Sequence, residues 1–214
     1  MDGSGKTTQA HRLADGLAAA GFRVSYQRNA GGRHFIGRIA GALGRADADA
    51  LVGRRAMLVI ESVLRWGALV RTQIYRAVTR KTVVMDRYSY CQYASLRARR
   101  AHPSAERRAR LAFRLFPRPD VTLLLAVDPA VAQQRIEARG TDREEMDYLR
   151  RADAAYRSLP EFPGFVVIDA NGSFDEVAAA IKAHLPVRID LPKPRAELLA
   201  TGSLLAGVLH QLVP

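Results

Sequence analysis

Close to its start the chain reads Gly3-Ser4-Gly5-Lys6-Thr7-Thr8, a combination of residue types suited to holding phosphate. Against the pattern G-x-x-x-x-G-K-[ST], residues Met1 to Ser4 fill the variable positions, and Gly5, Lys6 and Thr7 complete it. Glycines let backbone N–H groups approach phosphate oxygens closely at the start of a helix. Lys6 would then reach the β- and γ-phosphates of a nucleotide, and the Thr7 hydroxyl would bind Mg²⁺. The pattern's first glycine and its preceding strand would lie ahead of Met1, so the natural chain is expected to begin upstream.

A second candidate is Val83-Val84-Met85-Asp86-Arg87-Tyr88, where a compact apolar strand delivers an acid and a base to its C-terminal end. Ligands of open α/β sheets bind beyond that end. There Asp86 can hold Mg²⁺ or its water, and Arg87 can grip a phosphate through two parallel hydrogen bonds. A third candidate is the segment 135–151, in which Arg135, Arg139 and Arg143 recur at every fourth position around Gly140. A segment of this kind can close over a transferring phosphoryl group and neutralise its charge. It reads equally well as a solvated helix with Arg–Glu pairs.

The elements that must position these groups follow from periodicity. Ala10, Leu13, Leu17 and Ala20 predict a helix from Lys6, ended by Gly21. Strands are expected at 22–26, 82–85, 121–127 and 165–168, with helices between them. One long helical stretch covers 48–80, with a break expected near Gly67. The continuous apolar run Val121–Val127 marks a parallel strand covered on both faces. Strands alternating with helices predict an α/β fold, a doubly wound parallel sheet with helices on both faces. Residues 1–185 form that domain; residues 186–214 are a proline-containing connector and a C-terminal helix.

Composition narrows the function classes. The 214 residues are 48% hydrophobic and 25% charged, as in ordinary globular proteins. No apolar run is long enough for a transmembrane helix, and no secretory signal is apparent, so neither membrane nor export is expected. A single cysteine, Cys91, suits a cytoplasmic setting and leaves no thiolate cluster for zinc. The net charge of +12 invites a nucleic-acid reading. Yet the densest basic run, 97–110, has no aromatic residue interleaved for base stacking, and reads better as a solvated helical face.

Taken together, "DGSGKTT", "QRNAGG", "VVMDRY", "PDVTLLLAVDP" and "RIEARGTDREE" resemble the ordered motifs of bacterial thymidylate kinases, from residue 1 to about residue 185. The resemblance implies a P-loop nucleoside monophosphate kinase fold and ATP-dependent phosphoryl transfer to a nucleoside monophosphate, dTMP above all, with Mg²⁺. It implies that the strand expected ahead of Met1 lies mid-sheet, between those ending at Asp86 and Asp128. It assigns phosphate contacts to Arg28 and Arg87, and places Asp2 near the acceptor sugar. Gly3 resembles the subclass whose catalytic arginine sits in a lid, which makes Arg139 or Arg143 the candidate, with Arg135 on the nucleotide side. A homodimer through the long helices is the assembly the resemblance suggests.

The departures are equally specific. Asn29 and Ala30 stand where the family loop carries Glu-Pro, and Ser62 and Val63 where a helix carries Asp-Arg, with Arg65 displaced. Ser95 and Leu96 replace a Tyr-Gln pair that holds thymine. The phosphate-handling residues are therefore retained while the base-reading positions differ. Two other readings stay open: a same-fold kinase for another small acceptor, and a nucleotide-binding protein without turnover.

Overall fold

A computed structural model describes residues 3–140 and 146–185. The chain begins with helix α1 (Lys6–Ala19) and strand β1 (Val24–Arg28), followed by α2 (Arg33–Ala42) and α3 (Ala48–Val52). Then come the long α4 (Arg54–Thr79), β2 (Thr82–Asp86), α5 (Ser89–Ala98) and α6 (Pro103–Phe113). The last third holds β3 (Leu123–Ala126), α7 (Pro129–Arg139), α8 (Met146–Arg157), β4 (Val166–Asp169) and α9 (Phe174–His184). This is the alternating α/β order expected. The connector and helix expected at 186–214 lie outside the described residues, as do Asp2 and Arg143.

Two expectations shift. The first strand runs two residues later than its apolar run, since its polar end, Gln27 and Arg28, pairs with Met85 and Asp86. The long helix breaks at Gly53, not at Gly67. Gly53 has φ +83°, a left-handed backbone that ends α3 and starts α4. Gly67 stays helical, a cost of only about 1 kcal/mol in a helix this long.

The strands form two parallel pairs, β1 with β2 and β3 with β4. Each pair has its own apolar core. Leu58 and Leu69 of α4 pack with Tyr88, Tyr93, Leu96 and Phe113 beside β2. Leu125, Ile136, Leu149, Ile168, Val177 and Ile181 form the second core beside β3 and β4. Each such side chain, fully buried, contributes about 1.5–3 kcal/mol. Helix α8 joins the halves by packing on both α5 and α7, and its Tyr148 touches both cores. The only tryptophan, Trp66, fastens α4 to α6: its indole N–H donates to the Ala112 carbonyl at 3.1 Å, and its ring meets Phe116 edge-on.

The basic run 97–110 is knitted into this packing. Arg97 and Arg110 both pair with Glu106 at 2.8 Å, and Arg110 also reaches Glu161. The guanidinium of Arg99 lies over the Tyr148 ring at 4.4 Å, and that of Arg110 over Tyr93 at 4.3 Å. Arg100, Arg107 and Arg108 of the same run are exposed.

Candidate functional site

The site begins with two backbone conformations that only glycine tolerates well. Gly3 has φ +79° and Gly5 φ +72°, and Gly5 is the N-cap of α1. A Cβ on Gly3 would lie 2.5 Å from the Ala132 carbonyl oxygen in α7, so the loop can hold no side chain there. Ser4 is buried, and Lys6 is the first residue of α1. The loop thus ends at the positive pole of a 14-residue helix, where backbone N–H groups favour an anion. Thr8 lies one position beyond Thr7 in the same first turn and is exposed.

Strand β2 carries the second group to this loop. Thr7 donates from its hydroxyl to Asp86 Oδ2 at 2.7 Å, closing a contact across 79 residues. Tyr26 of β1 donates to the same oxygen at 3.2 Å, and its ring stacks on His11 of α1. Burial, the Asp86 charge and this hydrogen bond push the Tyr26 pKa up to about 12, so it remains a donor at neutral pH. The other carboxylate oxygen, Asp86 Oδ1, is buried without a hydrogen-bond partner. A buried, unpartnered carboxylate oxygen beside a threonine hydroxyl fits a hard cation such as Mg²⁺. Among the described residues, no cluster of three or more His, Cys, Asp or Glu could hold a metal. A Mg²⁺ bound through one carboxylate, one hydroxyl and substrate phosphates would need no such cluster.

Arg87 follows with φ +77°, uncommon for a residue with a side chain. Asn29 holds it there. The Asn29 N–H donates to the Asp86 carbonyl and its side-chain amide to the Arg87 carbonyl, both at 3.0 Å. Thr72 of α4 donates in turn to Asn29 Oδ1 at 2.9 Å. The residue that departs from the family's Glu-Pro is therefore the clamp that aims Arg87. Arg28, directly opposite Asp86 in the ladder, projects at the exposed end of β1.

Beneath the loop 29–32 lies a set of buried polar side chains carried by α4 and α5. Gly31 admits no Cβ, because one would meet Glu61 Cγ at 2.4 Å and Arg65 Nη2 at 2.9 Å. Arg65 is almost wholly buried and donates to Glu61 Oε1 at 3.0 Å, leaving its Nε and Nη1 without partners. Arg33 approaches the same Glu61 at 3.5 Å. Gln92 of α5 is fully buried; its amide donates to Ser62 at 2.7 Å, and its carbonyl oxygen has no partner. Burial pushes the Cys91 thiol up, but the Arg65 and Arg87 charges outweigh it and leave it lowered. Two guanidinium groups thus meet one carboxylate in a side-chain basin beneath the loop.

The arginine-bearing segment is only partly in view. Arg135 donates to the carbonyls of Ala170, Asn171 and Gly172 at 2.7–2.9 Å, fixing the loop that leads into α9. Phe174 of α9 lies against Gly5, and its carbonyl accepts from Gln9 of α1 at 2.7 Å. Arg139 is the last residue of α7, before Gly140 at φ +64°. Its side chain, like Arg143, lies outside the described residues.

The structure therefore brings together Gly3 to Thr8, Asp86 and Arg87 with Arg28 across the ladder, and seats Arg65 under the adjoining loop. Reading by motif missed Tyr26, Asn29, Glu61, Thr72 and Gln92. Only Asn29 carried a signal, as an amide in a glycine-rich turn next to a strand end. Comparison with known proteins points to one family. The family model described as thymidylate kinase matches residues 1–181. A thymidylate kinase of Xanthomonas euvesicatoria pv. vesicatoria is 35% identical, the alignment covering 94% of this chain and 92% of the relative. That of Xanthomonas oryzae pv. oryzae is 35% identical with the same coverage. A probable thymidylate kinase of Archaeoglobus fulgidus is 29% identical over 90% of this chain and 95% of its own length. A match over most of the chain, from the phosphate loop through α7 to α9, places this protein in the thymidylate kinase family.

Proposed function

We propose that the protein transfers the γ-phosphoryl group of ATP to dTMP, giving dTDP and ADP. One observation carries the reading: the Thr7–Asp86 contact, with Asp86 Oδ1 left unpartnered beside the first turn of α1. The backbone of Gly3, Ser4 and Gly5, with the first turn at Lys6, Thr7 and Thr8, cradles the donor phosphates. Thr7 and Asp86 would hold Mg²⁺, which would supply positive charge against the phosphate oxygens. Lys6 reaches the bridging region of the triphosphate. Arg28 and Arg87 grip the acceptor phosphate so that one of its oxygens faces the γ-phosphorus. The bond to the β-phosphate oxygen then breaks as the new P–O bond forms, with positioning and charge supplying most of the acceleration.

Arg65 lies on the acceptor side, and Asp2 belongs near the acceptor sugar. Arg139 or Arg143 steadies the transferring group, while Arg135 braces the donor side through the 170–172 loop. The fold is read as one doubly wound sheet, with the two strand pairs as its halves. The lone cysteine suits a cytoplasmic setting. No helix of the described residues is long and apolar enough to cross a membrane.

A homodimer is the proposed assembly. Val59, Val63, Trp66, Ile74 and Val78 form one exposed apolar stripe along α4, and Phe35, Ile39 and Leu43 another along α2. Sedimentation should show a dimer that Val63→Glu converts to monomer. The activity itself is tested by ADP release from ATP and Mg²⁺ with dTMP, dUMP and the other monophosphates. Turnover fastest with dTMP, lost in Asp86→Asn, supports the reading; a folded protein silent with every acceptor overturns it.

A further inference from the structure

Arg87 holds a backbone conformation that a residue with a side chain rarely adopts, and such a conformation persists only when its surroundings fix it. Here one neighbour fixes it from both sides. The peptide ahead of Arg87 is pinned at the Asp86 carbonyl, which accepts the Asn29 N–H at 3.0 Å. The peptide behind it is pinned at the Arg87 carbonyl, which accepts the Asn29 side-chain amide at 3.0 Å. With both peptide planes held, the direction in which the Arg87 side chain leaves the backbone is set. What orients the Asn29 side chain therefore orients Arg87.

Asn29 is fully buried, and so is Thr72 of α4. An amide turned the other way would aim its oxygen at the Arg87 carbonyl, setting one acceptor against another. Thr72 decides the direction. Its hydroxyl lies 2.9 Å from Asn29 Oδ1 and 2.9 Å from the Ala68 carbonyl, and it has one proton to give. The Ala68 carbonyl already accepts from the backbone of α4, four residues on. Without the Thr72 proton, Asn29 Oδ1 would be a buried acceptor left bare, the costlier outcome. One position earlier on the helix, Arg71 donates to the Arg28 carbonyl at 3.2 Å. Both strand-end arginines are thus tied, through their carbonyls, to a single turn of α4.

We propose that Thr72 is a positioning residue for phosphoryl transfer: through Asn29 it sets the direction of Arg87, and so the grip on the acceptor phosphate. Arg71 supports Arg28 in the same way, more weakly, from an exposed side chain. The bond from the Asn29 N–H to Asp86 needs no side chain, so the carboxylate beside Thr7 stays where it is. The loop 3–8 takes its shape from its own glycines and the start of α1. This turn of α4 therefore acts on one substrate and leaves the other alone. The proposal rests on the reading of Arg28 and Arg87 as ligands of the acceptor.

The test compares Thr72→Val, which keeps the shape and removes the hydroxyl, with Thr72→Ser, which keeps the hydroxyl. Thr72→Val should raise KM for dTMP about 10-fold, while kcat and KM for ATP stay within about 2-fold of the parent. Thr72→Ser should restore the parent KM. Adding Thr72→Val to Asn29→Ala should change nothing further, because the two act in one chain of bonds. Should Thr72→Val not fold, Thr72→Cys, a weak donor, takes its place with a smaller rise. An unchanged KM for dTMP overturns the proposal, as do two KM values rising together, no rescue by serine, or additive effects in the double variant. A parent that phosphorylates no acceptor would defeat the assigned function and not this positioning, which hydrogen exchange then decides. Peptide 86–91 should exchange about 10-fold faster in Thr72→Val and recover in Thr72→Ser, with peptide 103–113 unchanged throughout. Equal exchange of peptide 86–91 in all three proteins overturns the proposal.

Discussion

The phosphate end of the site and the basin beneath the loop 29–32 are built on different principles. At the phosphate end the geometry is set by backbone: left-handed glycines at 3 and 5, a helix start, and a positive φ at Arg87 clamped by Asn29. Its hydrogen bonds are made before any ligand arrives, apart from Asp86 Oδ1. In the basin the geometry is set by side chains from α4 and α5, and buried polar atoms of Arg65 and Gln92 await partners. On the proposed reading, the first arrangement serves a group every nucleotide shares, and the second faces the part of the substrate that differs.

Four substitutions test this contrast. Arg65→Ala should be the most damaging to the fold, since it removes the buried cation nearest Glu61 and leaves only the longer Arg33 contact; about 3 kcal/mol is expected, read as a lowered denaturation midpoint. Lys6→Ala should leave the melting temperature near that of the parent while lowering kcat roughly 100- to 1,000-fold. If the two effects were exchanged, the division between a preset phosphate end and a side-chain basin would be wrong. Asn29→Ala removes the clamp on Arg87 and the acceptor for Thr72; about 1–3 kcal/mol of stability should go, with a rise in KM for the acceptor.

Tyr26 offers the smallest effect and a direct reading of sign. Its pKa is raised to about 12 in the fold against 10.0 for the free side chain. The folded state therefore holds this proton more tightly, so its contribution is complete below pH 10 and declines as pH rises toward 12. The slope of stability against pH in that window should flatten in Tyr26→Phe. An unchanged slope would detach Tyr26 from Asp86.

The same contrast explains what could be read from residues alone. Glycine conformations and strand ends leave marks in sequence, and so the loop at 3–8 and the pair Asp86–Arg87 were legible. The alternation of strands and helices was legible for the same reason, each apolar run being local. Gly53 and Gly67 are alike on paper, and only the packing of α3 against α4 decides which one turns the chain. Glu61, Thr72 and Gln92 act across 28 to 43 residues through single bonds, a distance over which no periodicity reports. Asn29 was visible as a departure from its family loop, but its clamp on Arg87 needs β1 and β2 side by side before it has any meaning.

Trp66 gives this molecule a built-in light source. It is the only indole in the chain, sits one residue after Arg65, and is partly exposed where α4 meets α6. Emission excited in the red edge of the near-ultraviolet therefore comes from that single joint. Any change that shifts α4 against α6 should alter the colour of that light, so the joint reports on itself without a label.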